Sequence, residues 1–333
     1  MKKFLVIQTA FIGDVVLSTS LLEKLHAFYP EVQIDFLLRK GNEGLLENHP
    51  FINKLWIWDK KTNKHKNFYR IHKQVRAEKY DKVINIQRFA STGIFTAFSG
   101  AKEKIGFDKN PFSFLFSKSI NHHIGSSTAF LHETERNQLL IADFTDSNTG
   151  KLKLYPSDFD YKKTLPYKQN DYICIAPTSV WFTKQFPIEK WLEFINLIND
   201  LNFNIYLLGG SSDFDACETI KKNTNNQVTN LSGKLSFLET AALMKDATMN
   251  FVNDSAPMHI ASSMNANVTA IYCSTVPWFG FGPLSEISNI IEVSEKLHCR
   301  PCGLHGFKTC PKKDFECANN INVNKLKNIL LKK

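Results

Sequence analysis

Short apolar runs alternate with stretches of helical periodicity along this chain, and the alternation begins again near its midpoint. No other feature narrows the fold as much. A strand, a crossing helix and another strand form a parallel pair, so repeated units of this kind build a doubly wound α/β sheet. The opening unit is F-L-V-I-Q-T-A-F-I-G-D-V-V-L-S-T-S-L-L-E-K-L. Residues 4–7 read as a strand and residues 12–14 as a turn. Val15, Leu17, Leu21, Leu22 and Leu25 then fall on the apolar face of a helix. Strands are further expected at 32–38, 52–58, 82–87 and 104–107, with helices at 68–79 and 132–144.

A polar stretch at 145–150 and a turn-rich one at 156–170 mark a domain boundary. Beyond it the pattern resumes, with strands at 172–176, 204–208, 249–252 and 268–272. Helices are expected at 187–201, 236–245, 257–264 and 323–331, the first with Pro187 suited to a first turn. The 333 residues suit two domains of ordinary size, 1–155 and 165–320, followed by a terminal helix within 321–333.

An apolar share of 43% and a charged share of 22% are those of a globular protein. No apolar run reaches the roughly 18 residues of a membrane span. Lys2 and Lys3 resemble the basic start of a signal peptide, but Gln8 and Asp14 interrupt the apolar stretch behind them. A cytoplasmic protein is expected. The net charge of +9 owes much to residues 59–88, which include Lys64, Arg70 and Arg88. Such a stretch meets an anionic substrate or lipid headgroups, or simply solvates a helix face. Nucleic-acid-binding signatures are missing, so nucleic acid is not expected as a partner.

Four of the seven cysteines cluster in C-R-P-C-G-L-H-G-F-K-T-C-P-K-K-D-F-E-C: Cys299, Cys302, Cys310 and Cys317. In a reducing compartment this pattern suits either a structural zinc site, with His298 or His305 able to replace one ligand, or a loop of free thiols. Cys174, Cys217 and Cys273 lie in or near apolar segments and read as small core residues.

In parallel sheets ligands bind beyond the carboxyl ends of the strands. Asp14, beside Gly13, occupies such a place after the first strand, either as a helix cap or as a functional carboxylate. Three loops of the second half carry groups suited to phosphate. The first offers Thr178, Ser179, Thr183 and Lys184, and the second Gly209 and Gly210. In the third, Asp254, Ser255 and Ala256 lead into a helix that carries His259. Each residue has a plainer reading as a cap, a surface lysine or a packed histidine. Together, at successive strand ends, they suit a nucleoside diphosphate. The dinucleotide G-x-G-x-x-G, the P-loop and the G-x-S-x-G elbow are all missing.

These segments resemble the glycosyltransferases of family 9, the heptosyltransferases of lipopolysaccharide core assembly. The likeness rests on Q-T-A-F-I-G-D-V-V-L-S-T, H-E-T-E-R-N-Q-L-L, T-K-Q-F-P-I-E-K-W, N-D-S-A-P-M-H-I-A-S with V-T-A-I-Y, and C-x-P-C…C-P. It implies a GT-B fold, two Rossmann-like doubly wound domains facing across a cleft, with acceptor on the first and sugar nucleotide on the second. It also implies that the last helix crosses back to the first domain. Carried over by position, Asp14 is the catalytic base and Thr178, Ser179 and Lys184 lie near the donor phosphates. Asp254, Ser255 and His259 belong to the sugar-diphosphate site. Ala256 departs from a common glycine, and Y-C-S-T-V-P lacks the family's glycine-proline pair.

The expected reaction is a direct displacement with inversion and no obligatory metal or other cofactor. The donor implied is ADP-heptose, and the acceptor an anionic lipid-linked glycan met at the inner membrane surface, with Lys64, Arg70 and Arg88 as candidate contacts. The alternatives are another sugar nucleotide, a sugar-nucleotide epimerase, or a nucleotide-binding protein without activity on the same fold.

Overall fold

Among the described residues twelve strands form two six-stranded parallel sheets. A computed structural model describes residues 1–224 and 227–331. Two units are distinguished, one ending at Tyr155 and the other beginning at Pro156.

The first unit runs β1 (Lys3–Ile7), α1 (Ile12–Phe28), β2 (Gln33–Arg39), β3 (Ile52–Trp58), α2 (Lys64–Ala77), β4 (Lys82–Asn85), α3 (Ala90–Ala97), β5 (Glu103–Phe107), β6 (Lys118–Ile120) and α4 (Glu133–Gln138). Its sheet order is β3-β2-β1-β4-β5-β6. β1 has neighbours on both sides and four fully buried apolar residues, Phe4 to Ile7, as a central parallel strand requires. Its helix α1 is buried well beyond the apolar stripe. Ser18, Thr19 and Ser20 return their hydroxyls to the carbonyls of Val15, Val16 and Leu17, which lets polar residues enter the interior without a lost hydrogen bond.

The second unit contains α5 (Asp158–Thr164), β7 (Tyr172–Ala176), α6 (Ile188–Leu197), β8 (Asn204–Leu207), α7 (Phe214–Lys222), β9 (Val228–Asn230) and α8 (Phe237–Lys245). It continues with β10 (Met249–Asn253), α9 (Ala256–Ser263), β11 (Val268–Tyr272), β12 (Ser288–Glu292), α10 (Glu316–Asn319) and α11 (Asn324–Leu331). The order β12-β11-β10-β7-β8-β9 mirrors that of the first sheet. Both are the doubly wound arrangement in which strand order reverses once, beside β1 in the first sheet and beside β7 in the second. β7, β10 and β11 are buried at every position. Trp191 and Phe194 of α6 close the core over β7 and β10, with Phe186 edge-on to Trp191 at 5.1 Å.

Several elements differ from expectation. The helix expected over 132–144 is only α4, followed by a 3₁₀ turn at Ala142–Phe144. Breaking the helix lets the adjacent Leu140 and Ile141 both reach the interior. The turn-rich stretch 156–170 contains α5, started by a capping box in which Ser157 and Asp160 satisfy each other's amides. β4 stops at Asn85 because the Asn85 side chain captures the Gln87 amide at 2.9 Å and bends the chain.

α11 belongs to the second unit, where Leu326 and Leu330 enter the core beside α6. Lys327 fastens it through the Leu197 carbonyl at 2.9 Å and Asp200.

Candidate active site

In the first unit the site forms where β1 gives way to α1. The N-cap of α1 is Phe11, so Ile12 and Gly13 are the first two helical residues and Asp14 the third. Asp14 is therefore not the cap. The backbone amides of Phe11 and of Asp14 itself favour its ionised form. Burial, and next the charge of Glu133, outweigh them and raise its pKa from 3.8 to about 6, with Arg88 pulling the other way. A carboxylate poised this close to neutrality suits a general base.

Around Asp14 and the β1 exit lie residues that sequence reasoning did not single out. Glu133 heads α4 and is buried, clasped by Arg136 through Nε at 2.8 Å and Nη2 at 2.6 Å. Arg39 ends β2 with its guanidinium 4.9 Å from the centre of the Phe11 ring, and the charge of Asp14 acts on it. Lys60, just beyond β3, reaches the β1 exit and donates to the carbonyl and hydroxyl of Thr9 at 3.0 and 2.7 Å. The Thr9 hydroxyl donates onward to Gln87 Oε1 at 2.5 Å. Burial, with the charges of Arg39 and Lys64, lowers the Lys60 pKa to about 8.

The signal available in sequence was position. Arg39, Lys60 and Gln87 all sit at or just past strand ends, and Glu133 and Arg136 belong to H-E-T-E-R-N. Of the basic residues expected to meet the acceptor, Arg88 is exposed and acts on Asp14, while Lys64 acts on Lys60. Arg70 is exposed further along α2, whose other side buries Ile71 and Val75.

The second unit repeats the plan at the exits of β7 and β10, neighbouring strands at the reversal point. Lys184 Nζ lies 2.7 Å from Asp254 Oδ2, with both side chains largely buried. Thr275, after β11, donates to the same oxygen at 2.6 Å. Asn253, the last residue of β10, ties the two loops together. It accepts from the Phe186 amide at 2.8 Å and donates to the Pro177 carbonyl at 2.9 Å. Thr178 and Ser179 are half-buried beside them.

Ser255 is the N-cap residue of α9 but makes no side-chain cap. Its hydroxyl turns back to the Asn253 carbonyl at 3.4 Å. Ala256 is the first helical residue, and His259 is buried with its ring edge-on to Phe281.

Three expected site residues take other roles. Thr183 is 1% exposed, and its hydroxyl accepts from the Phe307 amide at 2.7 Å and the Ser274 hydroxyl at 3.0 Å. It braces the loop by accepting both bonds. Gly209 and Gly210 do not form an open phosphate cradle. The Gly210 amide donates to Asp213 Oδ2 at 2.7 Å, and a Cβ on Gly209 would come within 2.8 Å of Asp213, so a carboxylate fills that turn. The turn follows β8, one strand removed from the reversal.

The four clustered cysteines stand within electrostatic reach of one another, with Cys302, Cys299 and Cys310 all acting on Cys317. Among the described residues no three His, Cys, Asp or Glu side chains come together as a metal-holding group. Cys302 Sγ faces the Cys299 carbonyl at 3.3 Å, Cys310 Sγ is 4.0 Å from Asp314, and Cys317 is buried in the second core.

Residues 68–306 match the family model described as glycosyltransferase family 9 (heptosyltransferase). The chain belongs to this family. It is a glycosyltransferase, and among its relatives is lipopolysaccharide heptosyltransferase 3 of Escherichia coli. That protein is 28% identical over 277 residues, which cover 80% of this chain and 82% of the relative.

Solved structures share the fold. A family 9 glycosyltransferase from Veillonella parvula superposes with a TM-score of 0.86 at 20% identity, over 100% of this chain and 98% of that one. The Escherichia coli heptosyltransferase WaaC with ADP gives 0.75 at 17% identity, over 99% of each. The family 9 chain thus has the two-domain α/β GT-B fold expected from its sequence. Among its described residues no helix is long and apolar enough to cross a membrane.

Proposed function

We propose that this glycosyltransferase moves heptose from ADP-heptose onto an anionic, lipid-linked acceptor of the lipopolysaccharide core, with inversion. The Lys184–Asp254 pair at the strand-order reversal of the second sheet carries the reading. A departing nucleoside diphosphate gains negative charge, and a lysine beside the start of α9 is suited to stabilise it. Asp254 is offset by Lys184, which removes the repulsion it would exert on a diphosphate and leaves it suited to orient sugar hydroxyls. Thr178 and Ser179 supply hydroxyls at the same edge. In the first domain Asp14 takes the proton of the attacking acceptor hydroxyl as the bond to the anomeric carbon forms. Relatives named as lipopolysaccharide heptosyltransferases and a related structure with ADP support the donor and the acceptor class.

Arg39 and Arg88, whose charges couple to Asp14, and Lys60 beside Thr9 supply positive charge suited to phosphate or carboxylate groups of the acceptor. The exposed Lys64, Lys66, Arg70, Lys73 and Arg76 of α2 suit contact with the anionic inner face of the cytoplasmic membrane.

Thermal shift with ADP, UDP and GDP, on the wild type and Lys184→Ala, tests the donor site. The reading expects stabilisation by ADP above the others, reduced in the variant. A response to UDP or GDP alone would overturn the heptose donor, and no response to any of them would overturn the nucleotide site.

A further inference from the structure

Residues 293–315, between β12 and α10, contain neither helix nor strand. A loop of that length inside a domain is uncommon unless it has work to do. This one, which carries three of the four clustered cysteines, is fastened to the β7 loop of the donor site and to the turn that leaves β11. On one side it pairs with Thr183, whose amide donates to the Phe307 carbonyl at 3.1 Å and whose hydroxyl accepts from the Phe307 amide at 2.7 Å. Gly306 permits the approach, since a Cβ there would stand 2.8 Å from the Thr183 hydroxyl. On the other side the Cys302 amide donates to the Ser274 carbonyl at 2.8 Å.

Arg300 makes the larger attachment. Its Nε donates to the Cys273 carbonyl at 2.7 Å, and Nη2 donates to the Thr275 carbonyl at 2.7 Å and the Tyr272 carbonyl at 3.3 Å. The same guanidinium pairs with Glu292 at the end of β12, and only 12% of the side chain is exposed. Three carbonyls of the turn leaving β11 thus converge on one cation. The Thr275 hydroxyl leads from that turn to Asp254 at 2.6 Å, and Asp254 to Lys184 at 2.7 Å.

We propose that Arg300 is a positioning residue for the nucleotide-sugar site: it fixes the turn after β11 so that Thr275 and Asp254 hold Lys184 at the donor diphosphate. This rests on the reading of that site as the donor site. The guanidinium suits the task because its planar fork serves several acceptors at fixed angles, which an ammonium does not. Glu292 balances its charge, so the turn is held without adding net charge beside the phosphates. Arg300 need not touch the donor.

The test measures ADP affinity by titration calorimetry for the wild type, Arg300→Met, Arg300→Lys and Thr275→Val, and for Arg300→Met in the Thr275→Val background. Arg300→Met is expected to weaken ADP binding about tenfold, the scale of a lost charge-assisted contact. Arg300→Lys should recover only part of this. If the effect passes through Thr275, the same Arg300 substitution should cost less than about twofold in the Thr275→Val background. Should Arg300→Met fail to fold, Arg300→Lys carries the same cycle at smaller amplitude. A lowered Tm with unchanged ADP affinity, or equal penalties in both backgrounds, overturns the proposal. Wild-type protein that binds no ADP would instead overturn the donor-site reading, and the proposal with it.

Discussion

Lys184 and Asp254 meet at 2.7 Å although they come from loops 70 residues apart in sequence, and Thr275 donates to the same carboxylate oxygen. The two loops are neighbours because β7 and β10 pair side by side where the strand order reverses. A sequence-distant ion pair is therefore fixed by sheet topology, and its two halves can be tested separately.

Lys184→Met leaves a largely buried carboxylate without its cation. Breaking such a pair from one side costs about 3–5 kcal/mol, mostly the penalty on the charge left behind. We expect a loss of that size in denaturant unfolding, with ADP affinity reduced at least tenfold. Adding Asp254→Asn should restore much of the stability but none of the affinity. If stability and affinity recovered together, the lysine would be serving the fold and not the nucleotide.

Asp14 should set the acidic limb of the pH–rate profile. With a pKa raised to about 6, it acts as a base only once ionised, so kcat/KM should rise tenfold per pH unit below about 6 and level off above it. The stability sign is opposite. A carboxyl whose folded pKa lies above its unfolded value of 3.8 gives stability that is fully present below pH 3.8 and lost as pH rises through about 6. At pH 7 the ionised Asp14 is thus a burden, of about 1–2 kcal/mol once solvent screening of a half-buried group is allowed for. Asp14→Asn should accordingly raise the Tm at pH 7 while kcat falls by two or more orders of magnitude, about the worth of a general base. A destabilised variant would show that the carboxylate is structural.

Glu133 tunes that limb. Its charge is the second cause, after burial, of the raised Asp14 pKa. Glu133→Gln keeps a group for Arg136 to bond but removes the negative charge, so the acidic limb should move to lower pH. The readout is the midpoint of kcat/KM against pH, which a purely structural change would leave in place.

How much of this was legible in the sequence follows from how far each signal reaches. The strands 172–176, 249–252 and 268–272 are apolar runs buried on both faces, and such runs announce themselves. β6, with K-S-I at a sheet edge, and α3, with A-S-T-G-I-F-T-A, carry little periodicity and came only from packing. Asp14, Lys184 and Asp254 were visible because each lies in the segment that leaves a strand, Asp254 directly after its last residue. Glu133 and Arg136 reach the site from α4, far along the chain, and Lys60 lies 51 residues from the Thr9 it bonds. Thr183, Gly209 and Gly210 were misread for a single reason. Their polar atoms or open space looked available in sequence, but tertiary neighbours occupy them.

Lys60 gives the last prediction. Its ammonium is held by the Thr9 carbonyl and hydroxyl at the β1 exit, and burial together with Arg39 and Lys64 lowers its pKa to about 8. If it meets an anionic group of the acceptor, its help should fade as pH climbs through 8, long before an ordinary lysine would lose its proton. Wild-type KM for the acceptor should therefore rise between pH 7 and 9. Lys60→Gln should show a KM raised about tenfold at pH 7 and flat across that range, as expected for one lost charge-assisted contact. The donor KM should not move, because Lys60 belongs to the first domain's strand edge. A parallel pH dependence in the variant would assign the titration to another group. An unchanged acceptor KM would confine Lys60 to holding the turn at Thr9.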